Sequence, residues 1–246
     1  MTELTYRASP VPIRDDLAAA HRRAWRRIAE PGTWWEGATR VAIAAETRNA
    51  PACDLCKRRK QALSPNAVSG DHDSLGVLPE AVVEVIHRVR TDASRLSESW
   101  YRGVLETGLS DGEYVETVGI VATIVAIDRF THAMGLPTHP LPEPVPGEPT
   151  RRRPAGAKPG LAWVPTVAPE DRTDAEPDMY RDRSAANIHR ALSLVPDEVV
   201  GFFDLDDVQY LPDALLRDFG NEHRDITHAQ IELLAARVSA INQCVY

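Results

Sequence analysis

The amino-acid sequence predicts an all-α protein. Three observations predict it. Apolar residues recur at helical spacing through most of the chain, helix-capping residues stand at the starts of those runs, and no segment alternates apolar and polar residues over the length of a strand.

Asp15 to Glu30 carries Leu17, Ala20, Ala24, Trp25 and Ile28 on one helical face. Glu36 to Ala50 reads as a second helix, with Val41, Ile43, Ala44 and Ala45 inside it. Pro79 to Arg90 begins with proline in its first turn, although its valines weaken helix propensity. The longest candidate is Asp111 to Met134, capped by Ser110 or Asp111, with Glu113 as first-turn acid and Gly135 and Pro137 as stop. Ten of the 33 residues from Pro137 to Pro169 are proline, which predicts an extended linker or wrapping arm. Helices resume with one capped by Ser184, then Pro196 to Asp207, then a short one from Pro212 to Phe219 ended by Gly220. Thr227 caps the last, with Gln230 as capping-box partner and Ile231, Leu233, Leu234, Val238 and Ile241 as its apolar positions. This order divides the chain into a helical domain over 1–136, a Pro-rich arm over 137–183 and a second helical domain over 184–246.

Composition removes several function classes. A net charge of −8 leaves no excess of positive charge for a phosphate backbone, so nucleic acid is not an expected partner. The Arg151, Arg152, Arg153 triplet lies among prolines and reads as a solvated patch. No apolar run approaches the roughly 20 residues that span a bilayer, and residues 1–20 lack the apolar stretch of a secretory signal. Three cysteines, Cys53, Cys56 and Cys244, do not make a secreted disulfide scaffold. A reducing, cytoplasmic setting is expected, where a Cys-x-x-Cys pair is usually redox-active or metal-binding. There is no GxGxxG and no P-loop, so no organic cofactor or nucleotide is implied. His21, His87, His132, His139, His189, His223 and His228 are scattered and receive no role, while Trp34, Trp35, Trp100 and Trp163 are expected to anchor the core or a domain interface.

The most informative stretch is His228 to Tyr246, HAQIELLAARVSAINQCVY. Glu232 lies twelve residues before Cys244, with Asn242 and Gln243 just ahead of the cysteine. On one straight helix the two would stand about 18 Å apart, so they cooperate only if the chain reverses near Ile241. This stretch resembles the active-site helix of the alkylhydroperoxidase D and carboxymuconolactone decarboxylase superfamily, whose pattern is Glu, a short break, Cys-x-x-Cys and a His four residues later. The resemblance runs from about Ser184 to the end. It implies a helical bundle, a peroxide substrate, a dithiol electron-donor protein and assembly into homo-oligomers. It implies Glu232 as proton carrier and Cys244 as resolving thiol, with no metal. The pattern departs after Tyr246, where the next residue should be the second Cys. A selenocysteine codon read as a stop would account for this, making the full-length protein a selenoprotein. A last helix without its hairpin partner should leave an apolar face uncovered, including some of Leu233, Leu234, Val238 and Ile241.

Cys53 and Cys56 form a second Cys-x-x-Cys, and TRVAIAAETRNAPACDLC echoes ELLAARVSAINQCVY, so the two parts read as related halves. The match is looser here: Val41 stands twelve before Cys53 and Lys60 four after Cys56, although Glu46 is on the same helix. Three readings stay open: a redox dithiol, half of a zinc site with His72 and Asp71 or Asp73, or a structural relic. Lys57, Arg58, Arg59 and Lys60 would depress a thiol they face. The expected activity is thiol- or selenol-dependent peroxide reduction or disulfide exchange. The rivals are a carboxymuconolactone decarboxylase-like enzyme and an inactive helical interaction module.

Overall fold

The computed structural model describes residues 4–180 and 186–244. Among them it is helical, with nine α-helices, no strand, and one isolated antiparallel bridge between Lys158 and Thr166. The helices are α1 (Asp15–Ala29), α2 (Gly37–Asn49), α3 (Asp54–Gln61), α4 (Glu80–Asp92), α5 (Glu98–Glu106), α6 (Asp111–Ala133), α7 (Asn187–Arg190), α8 (Pro196–Gln209) and α9 (His228–Ile241).

Helix α6 is the axis of the bundle. Ser110 and Glu113 close a reciprocal capping box at its start, satisfying N–H groups that would otherwise lack partners. Ile120, Val121, Ile124 and Ile127 then project along it into a core shared with Trp25 and Ile28 of α1, Ile43 of α2 and Val82, Val85 and Ile86 of α4. Acids in the first turn of α1 and arginines in its last match the helix dipole. Helix α8 packs against both α1 and α6 and sends Leu205 into this same core. Its Val199 and Phe203 face the other way, onto Val167, Met179 and Tyr180.

Two polar ties hold α8 in place. Asp204 accepts from Arg23 at 2.9 and 2.7 Å. Arg40 of α2 reaches both Glu116 of α6 and Glu198 of α8, the latter at 2.9 Å, with all three side chains buried.

The Pro-rich segment is a wrapping arm. Its backbone returns to the bundle through Val145 N–H to the Ala29 carbonyl at 2.8 Å and Arg151 N–H to Thr33 at 2.7 Å. Trp25 donates its indole N–H to the Pro140 carbonyl at 3.2 Å. Gly37 makes this approach possible: a Cβ there would sit 2.2 Å from the Ala29 oxygen and 2.6 Å from the Val145 oxygen, both backbone. Gly37→Ala should therefore lift the arm at a cost on the order of 1–3 kcal/mol. Limited proteolysis reads this out as faster cleavage within 140–150, and an unchanged rate would refute it.

Several expectations need correction. Residues 212–219 form hydrogen-bonded turns, not a helix, because the run is too short to sustain the α pattern after Pro212. Helices α3 and α5 were not anticipated; α3, DLCKRRKQ, is almost wholly polar and has no apolar period to read. Trp163, expected to anchor the core or an interface, is exposed. The cap expected at Ser184 lies outside the described residues. The α9 capping box, Thr227 with Gln230, is present. On α9, Leu233, Leu234, Val238 and Ile241 stand from 58% to 70% exposed, which is the uncovered apolar face expected there. No helix among the described residues is long and apolar enough to cross a membrane.

Candidate functional site: two cysteines facing two carboxylate-backed histidines

The chain reaches Cys53 by a short route. Helix α2 gives way to a single 3-10 turn, Ala50–Ala52, with Pro51 inside it, and Cys53 then becomes the N-cap of α3. Cys56 follows in the first turn of α3. Both thiols are free and buried. A loop after the 3-10 turn Pro65–Ala67 brings His72 over the pair. Helix α4 contributes His87 from its buried face.

The four side chains converge. His72 Nδ1 lies 3.5 Å from Cys53 Sγ and 3.6 Å from Cys56 Sγ, and His87 Nδ1 lies 3.3 Å from Cys56 Sγ. All four of these atoms fall within 4.8 Å of one another. Each imidazole is held from behind at its other nitrogen. His72 Nε2 donates to Glu84 at 2.7 Å, and His87 Nε2 donates to Glu46 at 2.8 Å. With Nε2 engaged, both rings present Nδ1 to the sulfurs.

Both carboxylates are themselves fixed. Glu46 also accepts from Asn49 Nδ2 and from the Leu75 N–H, each at 2.9 Å. Burial pushes its pKa up, but these donors outweigh burial and hold it below the ordinary carboxylate value. Glu84 accepts from Arg59 and from the Trp100 indole, each at 2.8 Å. Burial opposes its ionisation too, yet His72, Arg59 and Trp100 bring it down to about 2.

The two histidines differ in charge. Burial lowers the pKa of His72, but Cys56, Glu84 and Cys53 outweigh it and raise the ring to about 10, so it is an imidazolium beside the sulfurs. Burial lowers His87 as well, Glu46 only partly offsets this, and the neighbouring His72 adds to it; its pKa ends below the ordinary value, leaving a neutral ring. A neutral His87 with Nε2–H on Glu46 has a bare Nδ1 to accept the Cys56 S–H. Cys53 is pushed up by burial but held below its usual value by the backbone N–H groups of Cys56 and Asp73 and by His72.

Three side chains of the basic run of α3 are paired with carboxylates. Lys57 pairs with Asp54 at 2.8 Å, Lys60 with Asp92 at 3.3 Å, and Arg59 with Glu84. The main groups that lower Cys53 are the backbone N–H groups of Cys56 and Asp73, then His72. Asp73 serves neither thiol as a ligand: its carboxylate caps α3 by accepting the Asp54 N–H at 2.7 Å, and its own N–H points at Cys53 Sγ at 3.4 Å.

Solvent approaches from two sides. A cavity of 360 Å³ reaches Cys56 between Lys57, Lys60 and Arg90. A larger one of 770 Å³ reaches His72 and Glu84 past Trp100.

The C-terminal pair is arranged differently. Glu232 lies in the first half of α9, where it accepts from the Tyr210 hydroxyl at 2.6 Å and stands 3.5 Å from His228. Cys244 is exposed beyond the other end of the helix, after a turn in which Gln243 adopts φ +55° and the Cys244 N–H reaches the Ser239 carbonyl. The helix ends at Ile241 with Asn242 as its C-cap, where the resemblance implies a break.

His87 is the residue that sequence reasoning passed over, together with Glu84. The available signal was Glu84 and His87 three apart, hence neighbours on a helix otherwise rich in valine and isoleucine. Comparison of the chain with family models, with curated proteins and with solved structures gives no match.

Proposed function

We propose that this protein is a thiol–disulfide oxidoreductase that reduces hydroperoxides through Cys53 and Cys56. The observation that carries the reading is the buried line Glu46–His87–Cys56: a carboxylate orients an imidazole, and the imidazole faces a thiol. These are the three groups that the resemblance to alkylhydroperoxidase D implies, here in the N-terminal half and independent of Glu232 and Cys244.

The chemistry follows from the placement. Cys56 borders the 360 Å³ cavity and so meets the oxidant. His87 Nδ1 takes its proton, and the thiolate attacks the terminal peroxide oxygen. The O–O bond breaks, a sulfenic acid forms on Cys56, and the departing alkoxide leaves as alcohol with the proton from His87. Cys53 then attacks that sulfur; the S–S bond forms and water departs. Two thiols and one hydroperoxide give one disulfide, one alcohol and one water. A dithiol donor protein in a reducing compartment, such as the cytoplasm, returns two electrons and two protons.

Counting thiols in the reduced, metal-free protein after a hydroperoxide pulse tests this. Cys244→Ser should still lose two thiols per peroxide. Cys56→Ser should lose none as disulfide, and His87→Gln should slow the step by about 10²–10⁴-fold. Disulfide formation or turnover that follows Cys244 and Glu232 rather than Cys56 and His87 would overturn the assignment.

A further inference from the structure

We propose that the reduced site is also a zinc site, in which Cys53 Sγ, Cys56 Sγ, His72 Nδ1 and His87 Nδ1 hold one ion, and that the ion masks the dithiol until oxidation releases it. The masking rests on the redox reading above; the metal site does not.

Distances carry the inference. Zinc takes thiolate sulfur at about 2.3 Å and imidazole nitrogen at about 2.0–2.1 Å in a tetrahedron, which sets each S···N edge at about 3.5 Å. Three of the four sulfur–nitrogen edges here are 3.5, 3.6 and 3.3 Å, and the fourth, Cys53 to His87, is within 4.8 Å. A hydrogen-bonded cluster needs only pairwise approaches. This one is convergent, with all four donor atoms inside 4.8 Å of one another. The four come from three separate parts of the chain: α3, the loop before α4, and α4 itself.

The shell behind the ligands points the same way. Imidazoles bound to metal commonly give their other N–H to a carboxylate, which fixes the ring and raises its basicity. Both histidines do so, to Glu84 and Glu46. The donor set chooses the ion. Two thiolates and two imidazoles suit zinc and do not suit calcium or magnesium, which take oxygen. Four protein ligands fill the tetrahedron and leave no position for a bound water, so the ion would be structural or protective rather than hydrolytic.

Masking follows from sharing. Sulfur lone pairs shared with zinc are less nucleophilic, so the zinc form reacts with peroxide more slowly than the free dithiol, and a Cys53–Cys56 disulfide no longer offers two thiolates. The balance is one zinc dithiolate, one hydroperoxide and two protons giving one disulfide, one alcohol, one water and one free zinc ion.

Cobalt(II) titrated into the reduced, metal-free full chain reports the geometry. The expected result is one equivalent bound, with intense ligand-field bands of a tetrahedral S2N2 centre, displaced by one equivalent of zinc. Glu46→Gln and Glu84→Gln, which keep all four ligands, should each weaken binding by about 10–100-fold. A weak octahedral spectrum, no saturation at one equivalent, or affinity indifferent to both carboxylates would overturn the metal site. A hydroperoxide pulse on the zinc form should release the ion, seen with a chromogenic chelator, together with the loss of two thiols, more slowly than the metal-free protein loses them; equal rates would refute masking. If zinc binds but the metal-free protein keeps its thiols under peroxide, the redox reading fails, the metal site stands and masking is refuted. If the metal-free dithiol oxidises but cobalt does not bind, the metal site fails alone.

Discussion

Arg40→Met is expected to cost about 3–5 kcal/mol of folding stability, the range for breaking a buried ion pair from one side. Arg40 is 4% exposed, and its guanidinium is shared between Glu116, fully buried on α6, and Glu198 on α8. Its Nε also caps the Arg27 carbonyl of α1 at 3.2 Å. One side chain thus ties together α1, α2, α6 and α8. Remove it, and two carboxylates face each other in the interior with no cation. Burial already pushes Glu116 up to about 7, with Arg40 lowering it and Glu198 raising it again. Without Arg40 at least one of the two must take a proton to fold, so the penalty should ease as pH falls. The measurement is urea denaturation at pH 7, reading the midpoint at constant slope. A companion variant, Arg40→Met with Glu116→Gln and Glu198→Gln, removes both charges along with their partner and should recover much of the loss. A single-variant cost below about 1 kcal/mol would mean that this triad does not hold α8 to the bundle.

How far the sequence revealed the molecule depends on what each signal rests on. Helices α1, α2, α4, α6, α8 and α9 were legible because each buries an apolar stripe or begins with a capping residue, and both are local properties of the chain. Helix α3 was not, because its reason for being helical lies elsewhere: Asp73, twenty residues on from Cys53, caps it. The candidate site splits in the same way. Cys53 and Cys56 stand out as a spaced pair, and Glu46 is one helix back. His72 has no spacing signal beyond its neighbouring aspartates, since loop closure leaves no local pattern. His87 lies in an apolar run, where a histidine reads as ordinary core. What selects it is the fold of α4 over α2 and α3, and no local pattern encodes that packing. The C-terminal motif had the clearer sequence signal, yet its Glu232 meets Tyr210 and His228, while the carboxylate–imidazole–thiol line forms at the quieter motif.

The second large effect is a histidine that resists protonation. His21 on α1 is fully buried. Tyr6 Oη meets its Nδ1, Gln209 Nε2 donates to its Nε2 at 2.9 Å, and the edge of Phe130 covers the ring at 5.0 Å between centroids. His139, also below its ordinary value, acts on it too. Burial first, and His139 second, push His21 down to about 4. The unfolded chain takes up this proton near pH 6.5, so unfolding is favoured progressively as pH falls. The stability His21 contributes is complete above pH 6.5 and is lost on the way down through about pH 4. At 1.36 kcal/mol per pKa unit the loss amounts to about 3 kcal/mol. Glu116 works against it over nearly the same window. Its raised pKa means that its contribution is complete below about pH 4.5 and is lost as pH rises through 7. Between pH 4.5 and 6.5 these two slopes oppose each other, and His87 and His139, also held below the ordinary histidine value, add to the side of His21. His21→Gln removes the His21 slope. Relative to the parent, the variant should gain stability steadily as pH falls from 7 to 4.5, by up to about 1.4 kcal/mol per pH unit. Chemical denaturation of both proteins at half-unit steps measures that difference, and two parallel profiles would show that His21 is free to protonate in the folded state.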